Sequence, residues 1–285
     1  MSATAASIAR LAPAVRPSPF VKWVGGKGRL LSQLLPMLPP GVERMRHVEP
    51  FMGGAAMFFE RRPERALLCD VNGALVETYG LVRDRVEEVI AKLAPLAREH
   101  DADAYYRVRE RYNRGAARGP ERAAMFIYLN KTCFNGLHRV NRRGEFNVPA
   151  GRYVRPRILD AEGLRAASAA LASAELVEDG FESLLSRARP GDFVYLDPPY
   201  EPVSRTASFT AYAKGGFDQV AQTRLRDVFD ELTRRGARCM LSNSDVPFIR
   251  DLYRAYRIDV VSAARAVNCD AAGRGKVDEV VVRNY

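Results

Sequence analysis

Between Arg46 and Asp70 the chain spells out one half of a doubly wound sheet, and no other stretch narrows the possible folds as much. Arg46 to Glu49 reads as a short strand. Pro50 to Gly54 reads as a glycine-bearing turn, and Ala55 to Phe59 as the small and apolar start of a helix packed back on that strand. Ala66 to Cys69 is a second buried strand, closed by Asp70. A strand that passes through a tight turn and a helix into the next strand belongs in a parallel sheet with helices on its faces.

The same alternation resumes after Leu159, with a helix to Ala172, strand Glu175 to Val177, helix Glu182 to Ala188 and strand Phe193 to Leu196. Helix Gln219 to Arg235, strand Arg238 to Ser242 and a last strand Glu279 to Arg283 follow. Upstream, Gly25-Gly26-Lys27-Gly28 forms a turn running into a helix that stops at Pro39-Pro40. Between the two halves the pattern breaks. Ala74 to Arg122 reads as helices of mixed charge with breaks at Pro95 and at Gly115 to Pro120. Phe134 to Tyr153 is dense in Gly, Asn and Pro, with Asn141-Arg142-Arg143-Gly144 as a hairpin turn between two extended runs. The expected organisation is a disordered tail (1–18), an α/β domain built from 19–72 and 160–285, and an insertion over 73–159.

Composition fits a folded chain of 285 residues, 47% of them apolar. The longest apolar run, Ala123 to Leu129, is far short of the roughly 18 residues of a membrane span, so no integral membrane protein is expected. Positions 1–18 contain no acid and no continuous apolar stretch, which favours a frayed tail over a signal or transit peptide. Cys69, Cys133, Cys239 and Cys269 show no C-x-x-C spacing, and none of the three histidines is paired at metal-ligand spacing. A reduced, cytoplasmic, metal-free protein is expected.

The net charge of +10 is concentrated in one stretch. Tyr105 to Arg157 carries thirteen Lys and Arg against three acids (Glu110, Glu121 and Glu145), a local balance equal to that of the whole chain. Tyr105, Tyr106, Tyr112, Phe126, Tyr128, Phe134, Phe146 and Tyr153 are interleaved with these cations. Cations for phosphates and flat rings for bases are what a nucleic-acid surface uses. The other reading is a set of arginines on solvated helix faces, since Arg outnumbers Lys throughout the chain.

Asp197-Pro198-Pro199-Tyr200 directly follows the strand Phe193 to Leu196, at the carboxyl edge where sheets of this type bind ligands. The turn suits methylation of an exocyclic amine, whose lone pair is delocalised into its ring and must be drawn out by hydrogen-bond acceptors. Asp197 supplies a carboxylate, the two prolines supply carbonyls without N–H donors, and Tyr200 supplies a stacking face. An ordinary strand-to-loop turn is the plainer alternative. The Gly53-Gly54 turn, with Asp70 seventeen positions on, suits a nucleotide-like cofactor whose ribose hydroxyls meet the acid. It lacks the G-x-G-x-x-G pattern, and Val21 and Gly28 stand where a P-loop needs Gly and Ser or Thr. ATP and NAD are disfavoured, and S-adenosylmethionine remains, with Lys27 near its carboxylate and Trp23 packed on it. A surface Lys and a core Trp stay open at this point.

Three blocks in order, Phe20-Val21-Lys22-Trp23-Val24-Gly25-Gly26-Lys27, Glu49-Pro50-Phe51-Met52-Gly53-Gly54 and Asp197-Pro198-Pro199-Tyr200, resemble the Dam-type DNA N6-adenine methyltransferases of the alpha arrangement. The likeness continues through 129–137, 142–153, Phe209-Thr210-Ala211-Tyr212 and Lys276-Val277-Asp278-Glu279, covering essentially all of 20–285. The resemblance implies a Rossmann-like, seven-stranded S-adenosylmethionine-dependent methyltransferase sheet. It also implies an inserted helical DNA-recognition domain whose β-hairpin enters double-stranded DNA.

On this resemblance Trp23, Lys27, Phe51, Gly53, Asp70 and Asp197 hold the cofactor, and Asp197, Pro198 and Tyr200 serve catalysis. Asn135, Leu137, Arg139, Pro149, Arg152 and Tyr153 fall on the recognition hairpin, and Lys22 matches a position reaching the first base of the site. Members of this kind usually methylate adenine in GATC. Ala55 departs from the pattern, standing where relatives often have Gly; Ala is small, and cofactor binding is expected to survive.

The expected reaction is direct transfer of a methyl group to N6 of an adenine flipped out of the duplex, by a monomer. A cytosine-C5 enzyme needs a Pro-Cys nucleophile, and Leu68, Thr132, Arg238 and Asn268 precede the cysteines here. Glu201 to Gly216, with Gly215-Gly216 as a hinge, reads either as a lid over the base or as a plain surface loop. The rival functions are methylation of RNA, cytosine N4 or protein glutamine, and a DNA-binding module without catalysis. The basic hairpin and the Asp at the head of the Pro-Pro-Tyr turn favour DNA adenine.

Overall fold

The buried runs around Val48, Leu67 and Val194 form the centre of a seven-stranded sheet in a computed structural model, which describes residues 15–203, 217–264 and 276–285. Strand β1 (His47–Glu49) pairs in parallel with β2 (Ala66–Asp70) on one side and β4 (Phe193–Leu196) on the other. Beyond β2 lies β3 (Ala174–Glu178), and beyond β4 lies β5 (Arg238–Ser244), both parallel to their neighbours. The sheet is completed by β6 (Arg257–Ala264) and β7 (Lys276–Arg283), with β7 antiparallel to both β5 and β6. The order β3-β2-β1-β4-β5-β7-β6 reverses direction between β1 and β4, so the crevice for a ligand opens at the carboxyl ends of those two strands.

Short helices α1 (Leu31–Leu34) and α2 (Ala56–Arg61) precede the long α3 (Gly73–Arg98), followed by α4 (Ala102–Asn113), α5 (Gly119–Thr132) and α6 (Ala161–Leu171). The second half adds α7 (Leu184–Arg187), α8 (Gln219–Arg234) and α9 (Pro247–Leu252). Strand side chains alternate between the faces even though both faces are covered. Val48, Leu67, Val194, Leu196 and Leu241 meet Leu225, Val228 and Phe229 of α8. On the other face Phe58, Leu68, Leu75 and Leu164 share one apolar cluster with Tyr105, Tyr128 and Phe146. The stretch 73–159 therefore has no core of its own and rests on the same apolar layer as the sheet.

Helix α5 explains the longest apolar run of the sequence. Residues Ala123 to Leu129 are all buried, so this helix is apolar all round because it is enclosed on all sides. Among the described residues no helix is long and apolar enough to cross a membrane.

Several expectations shift in detail. The break expected at Pro95 falls instead at Arg85 (φ −140°, ψ 40°), and Pro95 is accommodated in the last turn of α3. The helix expected before Pro39 is a succession of short turns, Lys27–Arg29, α1 and Leu35–Met37. That expected over 182–188 is one 3-10 turn, Phe181–Ser183, running into the four-residue α7. Strand β6 and helix α9 have no counterpart among the elements expected from the sequence. Of the lid segment, positions 204–216 with Phe209 to Tyr212 lie outside the described residues, as do Cys269 and positions 1–14.

Candidate active site and hairpin

Strand β1 ends in a buried charge arrangement. Glu49 Oε1 accepts from Phe58 N at 2.8 Å, so a strand carboxylate caps the first turn of α2, and it lies 2.6 Å from His47 Nε2. The Arg61 guanidinium is 2.7 Å from His47 Nδ1, and a guanidinium can only donate. Nδ1 is therefore the acceptor, Nε2–H donates to Glu49, and the imidazole is neutral. Burial acts in the same direction, pulling the His47 pKa down.

The turn after Glu49 is shaped by its glycine. Gly53 has φ +47°, and a Cβ there would lie 2.7 Å from Trp23 Cδ1, so the indole rests on bare backbone. Gly53 N donates to Asp70 Oδ2 at 3.0 Å, and Asn72 N donates to Oδ1 at 2.9 Å. Burial raises the Asp70 pKa, and the two amides counter it. Each carboxylate oxygen retains a further acceptor site suited to a ribose hydroxyl. Ala55 caps α2 with left-handed backbone, φ 51° and ψ 39°, which is the reason glycine suits that position. Phe51 stacks on Phe181 at 5.7 Å and meets Phe217 edge-on at 5.6 Å.

At the end of β4, Lys27 Nζ lies 2.7 Å from Asp197 Oδ1, with side-chain exposures of 5% and 20%. Nζ also donates to the Gly25 carbonyl at 2.6 Å and sits 4.7 Å above the Tyr200 ring. Oδ1 is buried against the Lys27 ammonium, so the exposed part of the Asp197 side chain lies away from that atom. Burial pushes the Asp197 carboxyl up to about 6, against the pull of Lys27 and with added repulsion from Glu279 and Glu49.

The rest of the turn is held from outside. Gln222 Nε2 donates to the Pro199 carbonyl at 3.0 Å, Asn243 Oδ1 accepts from Glu201 N at 3.1 Å, and Tyr200 Oη donates to Glu279 Oε2 at 2.7 Å. Of the two proline carbonyls, that of Pro199 is thus occupied. The Pro198 carbonyl accepts no hydrogen bond from the described residues.

Beside this crevice stands the hairpin. Antiparallel bridges Cys133 to Ala150 and Val140 to Phe146 close it, and Asn141 Oδ1 accepts from Arg143 N and Glu145 N at the tip. Asn113 pairs with both backbone groups of Phe146, and Tyr105 Oη donates to the Val148 carbonyl at 2.7 Å, so α4 carries the hairpin's inner strand. Asn135, Arg139, Pro149, Arg152 and Tyr153 are exposed, whereas Leu137 and Lys22 are half-buried. Lys22 Nζ lies 3.8 Å over the Tyr153 ring, and Arg139 Nε donates to Asn147 Oδ1 at 2.7 Å.

Asn130 ties the N-terminal segment to this region. It accepts from Lys22 N at 2.6 Å and donates to the Lys22 and Gly136 carbonyls at 2.7 and 3.2 Å. Neighbouring residues Lys22 and Trp23 consequently face the hairpin and the Gly53 turn respectively. Asn72, Asn130, His138, Gln222, Asn243 and Glu279 carried no mark as site residues in the sequence, because each acts through partners remote in the chain. The described residues include no cluster of three His, Cys, Asp or Glu able to hold a metal.

A sheet of this order, with an acid at the end of β2 and an Asp-Pro-Pro-Tyr turn at the end of β4, defines a Rossmann-like methyltransferase. The chain belongs to the D12 class N6 adenine-specific DNA methyltransferases, whose family profile matches residues 23–267. It is 40% identical to the Type II methyltransferase M1.LlaDCHI of Lactococcus lactis subsp. cremoris, covering 94% of this chain and 95% of the relative. It is 38% identical to the Type II methyltransferase M.MjaIII of Methanocaldococcus jannaschii, covering 94% and 99%. Identity to the DNA adenine methylase of Escherichia coli K12 is 36%, over 92% and 93%. The protein is an enzyme that methylates adenine in DNA with S-adenosylmethionine as methyl donor.

Proposed function

We propose that the chain is a site-specific methyltransferase acting on adenine N6 in double-stranded DNA, in GATC, on a base flipped into the crevice beside β4. The observation that carries this reading is the turn at the end of β4, where the Asp197 side chain is 20% exposed and the Pro198 carbonyl accepts no hydrogen bond from the described residues. Those are two acceptors for the two protons of an exocyclic amine. When bound, S-adenosylmethionine supplies the methyl group. The bare Gly53 turn under Trp23, the Asp70 carboxylate and the Phe51 aromatic group support a nucleoside fit, and Lys27 supplies a cation beside it.

In this mechanism the Asp197 carboxylate and the Pro198 carbonyl draw the N6 lone pair out of the ring by accepting hydrogen bonds from its two N–H groups, and Tyr200 stacks on the flipped base. Asp197 does this as the anion. The N6 proton becomes acidic only as the new C–N bond forms, so a weakly basic carboxylate suffices. The stretch 73–159 acts as the recognition region, with Lys22, Asn135, Leu137, Arg139, Pro149, Arg152 and Tyr153 on bases and phosphates. The enzyme works as a monomer on cytoplasmic DNA.

The test is transfer of labelled methyl from S-adenosylmethionine to two duplexes differing only in one GATC. Label as N6-methyladenine in the first alone is the expected result, and equal label in both refutes the GATC assignment. Asp197→Ala should abolish transfer while leaving DNA affinity within a few-fold. Transfer near the wild-type rate would refute its assigned role.

A further inference from the structure

His138 occupies a position that the proposed chemistry does not use. Its ring stacks on Trp23 at 5.6 Å between centroids and 24° between planes, and Trp23 in turn covers the Gly53 turn. Its Nδ1 lies 3.1 Å from Asn72 Nδ2. An amide nitrogen can only donate, so Nδ1 accepts and the ring carries its hydrogen on Nε2. Asn72 also donates its backbone N–H to Asp70 and caps α3 through its side chain. Two routes from the cofactor-side residues, Gly53 through Trp23 and Asp70 through Asn72, therefore converge on one imidazole.

On its other side the ring meets the hairpin and its support. Phe146 lies at 5.7 Å and Phe126 at 5.5 Å, and along the chain His138 is flanked by Leu137 and Arg139. Burial pulls its pKa down to about 4, so the ring works as a neutral, flat packing element at neutral pH. A rigid group shared by two sites transmits a displacement of one to the other, and that transmission is measurable as a coupling free energy.

We propose that His138 is a positioning residue that couples the methyl-donor pocket to the DNA-reading hairpin, so that filling the pocket sets the placement of Leu137 and Arg139. The proposal rests on the functional reading above. Its sense is reciprocal: DNA on the hairpin tightens the donor site by the same factor as the donor tightens DNA. Trp23 is the chain's single tryptophan, so its emission reports on this contact directly.

The experiment measures the dissociation constant of S-adenosylhomocysteine, free and with a saturating duplex that the wild-type enzyme methylates, for wild type, His138→Ala and His138→Phe. Wild type is expected to show a ratio of about 5-fold or more, within the usual range of coupling between sites. His138→Ala should bring it below about 2-fold. His138→Phe, which keeps the ring and loses Nδ1, should fall between. In parallel, DNA should change Trp23 emission in wild type and not in His138→Ala, while S-adenosylhomocysteine changes it in both.

A wild-type ratio of one, or an unchanged ratio in His138→Ala, overturns the proposal. If His138→Ala does not fold, judged by circular dichroism, His138→Leu, which fills the space with neither a ring nor an Nδ1, takes its place, and full wild-type coupling in that variant overturns the proposal. A wild-type protein that binds no S-adenosylhomocysteine or methylates no duplex would instead refute the functional reading.

Discussion

Lys27→Met isolates what the buried ammonium does for Asp197. The methionine keeps most of the stem and removes the charge that sits 2.7 Å from Oδ1. At an effective dielectric of about 20, two unit charges at that distance attract by about 6 kcal/mol. Desolvation of both ions offsets much of this, and a carboxylate beside a cation typically titrates about one to three pH units lower than without it. Burial already holds Asp197 at about 6, with Lys27 opposing the rise. The anion is the working form, so wild-type kcat/KM for DNA should fall as pH drops through about 6. The variant's midpoint should lie about one to three pH units higher. At pH 7 its rate should be roughly tenfold lower, and at pH 9 most of that loss should be recovered. The assay is initial-rate transfer of labelled methyl between pH 5 and 9 with saturating S-adenosylmethionine, which removes any effect on donor affinity. A loss independent of pH would refute the electrostatic argument and leave Lys27 a role in placing the reactants rather than in tuning Asp197.

Gly53→Ala places a Cβ 2.7 Å from Trp23 Cδ1 at φ +47°. The displaced indole should weaken S-adenosylhomocysteine affinity measured by calorimetry, while left-handed strain of about 1–2 kcal/mol lowers stability; unchanged affinity would show that Trp23 is not part of the pocket. Ala55→Gly relieves a residue held at φ 51° and should raise stability to denaturant by about 0.5–1 kcal/mol, with a lowered midpoint contradicting the strain assignment. Glu279→Ala removes the acceptor of the Tyr200 hydroxyl at 2.7 Å and should lower kcat about tenfold, the lower end of what a hydrogen bond to a charged group is worth, with KM for DNA little changed. Glu279→Gln, which keeps an acceptor, should recover most of it; a glutamine variant as slow as the alanine one would show that the charge is what matters.

The sheet centre and both chemical turns were legible in the sequence because their determinants are local. A strand buried on both faces, such as Phe193–Leu196, is a short apolar run, and the acids at positions 70 and 197 stand where those runs end. Strand β6 carries little periodic signal because it is an edge strand with only one neighbour, and Arg257, Asp259 and Ser262 interrupt its apolar residues. What could not be read were the supports of the site. Asn130 bonds to a residue 108 positions away, and Glu279 to one 79 positions away; a buried amide or carboxylate of this kind looks like any surface residue until the fold encloses it. The same holds for Ala55, whose departure from glycine was visible while its reason, a left-handed cap, was not. The division follows physically: the residues proposed to touch reacting atoms sit at strand ends, which periodicity reveals, whereas those that fix their orientation come from whichever element the fold brings alongside. Trp23 and Lys22 join the two classes: Trp23 covers the Gly53 turn and stacks on His138, and Lys22 lies over the Tyr153 ring of the hairpin.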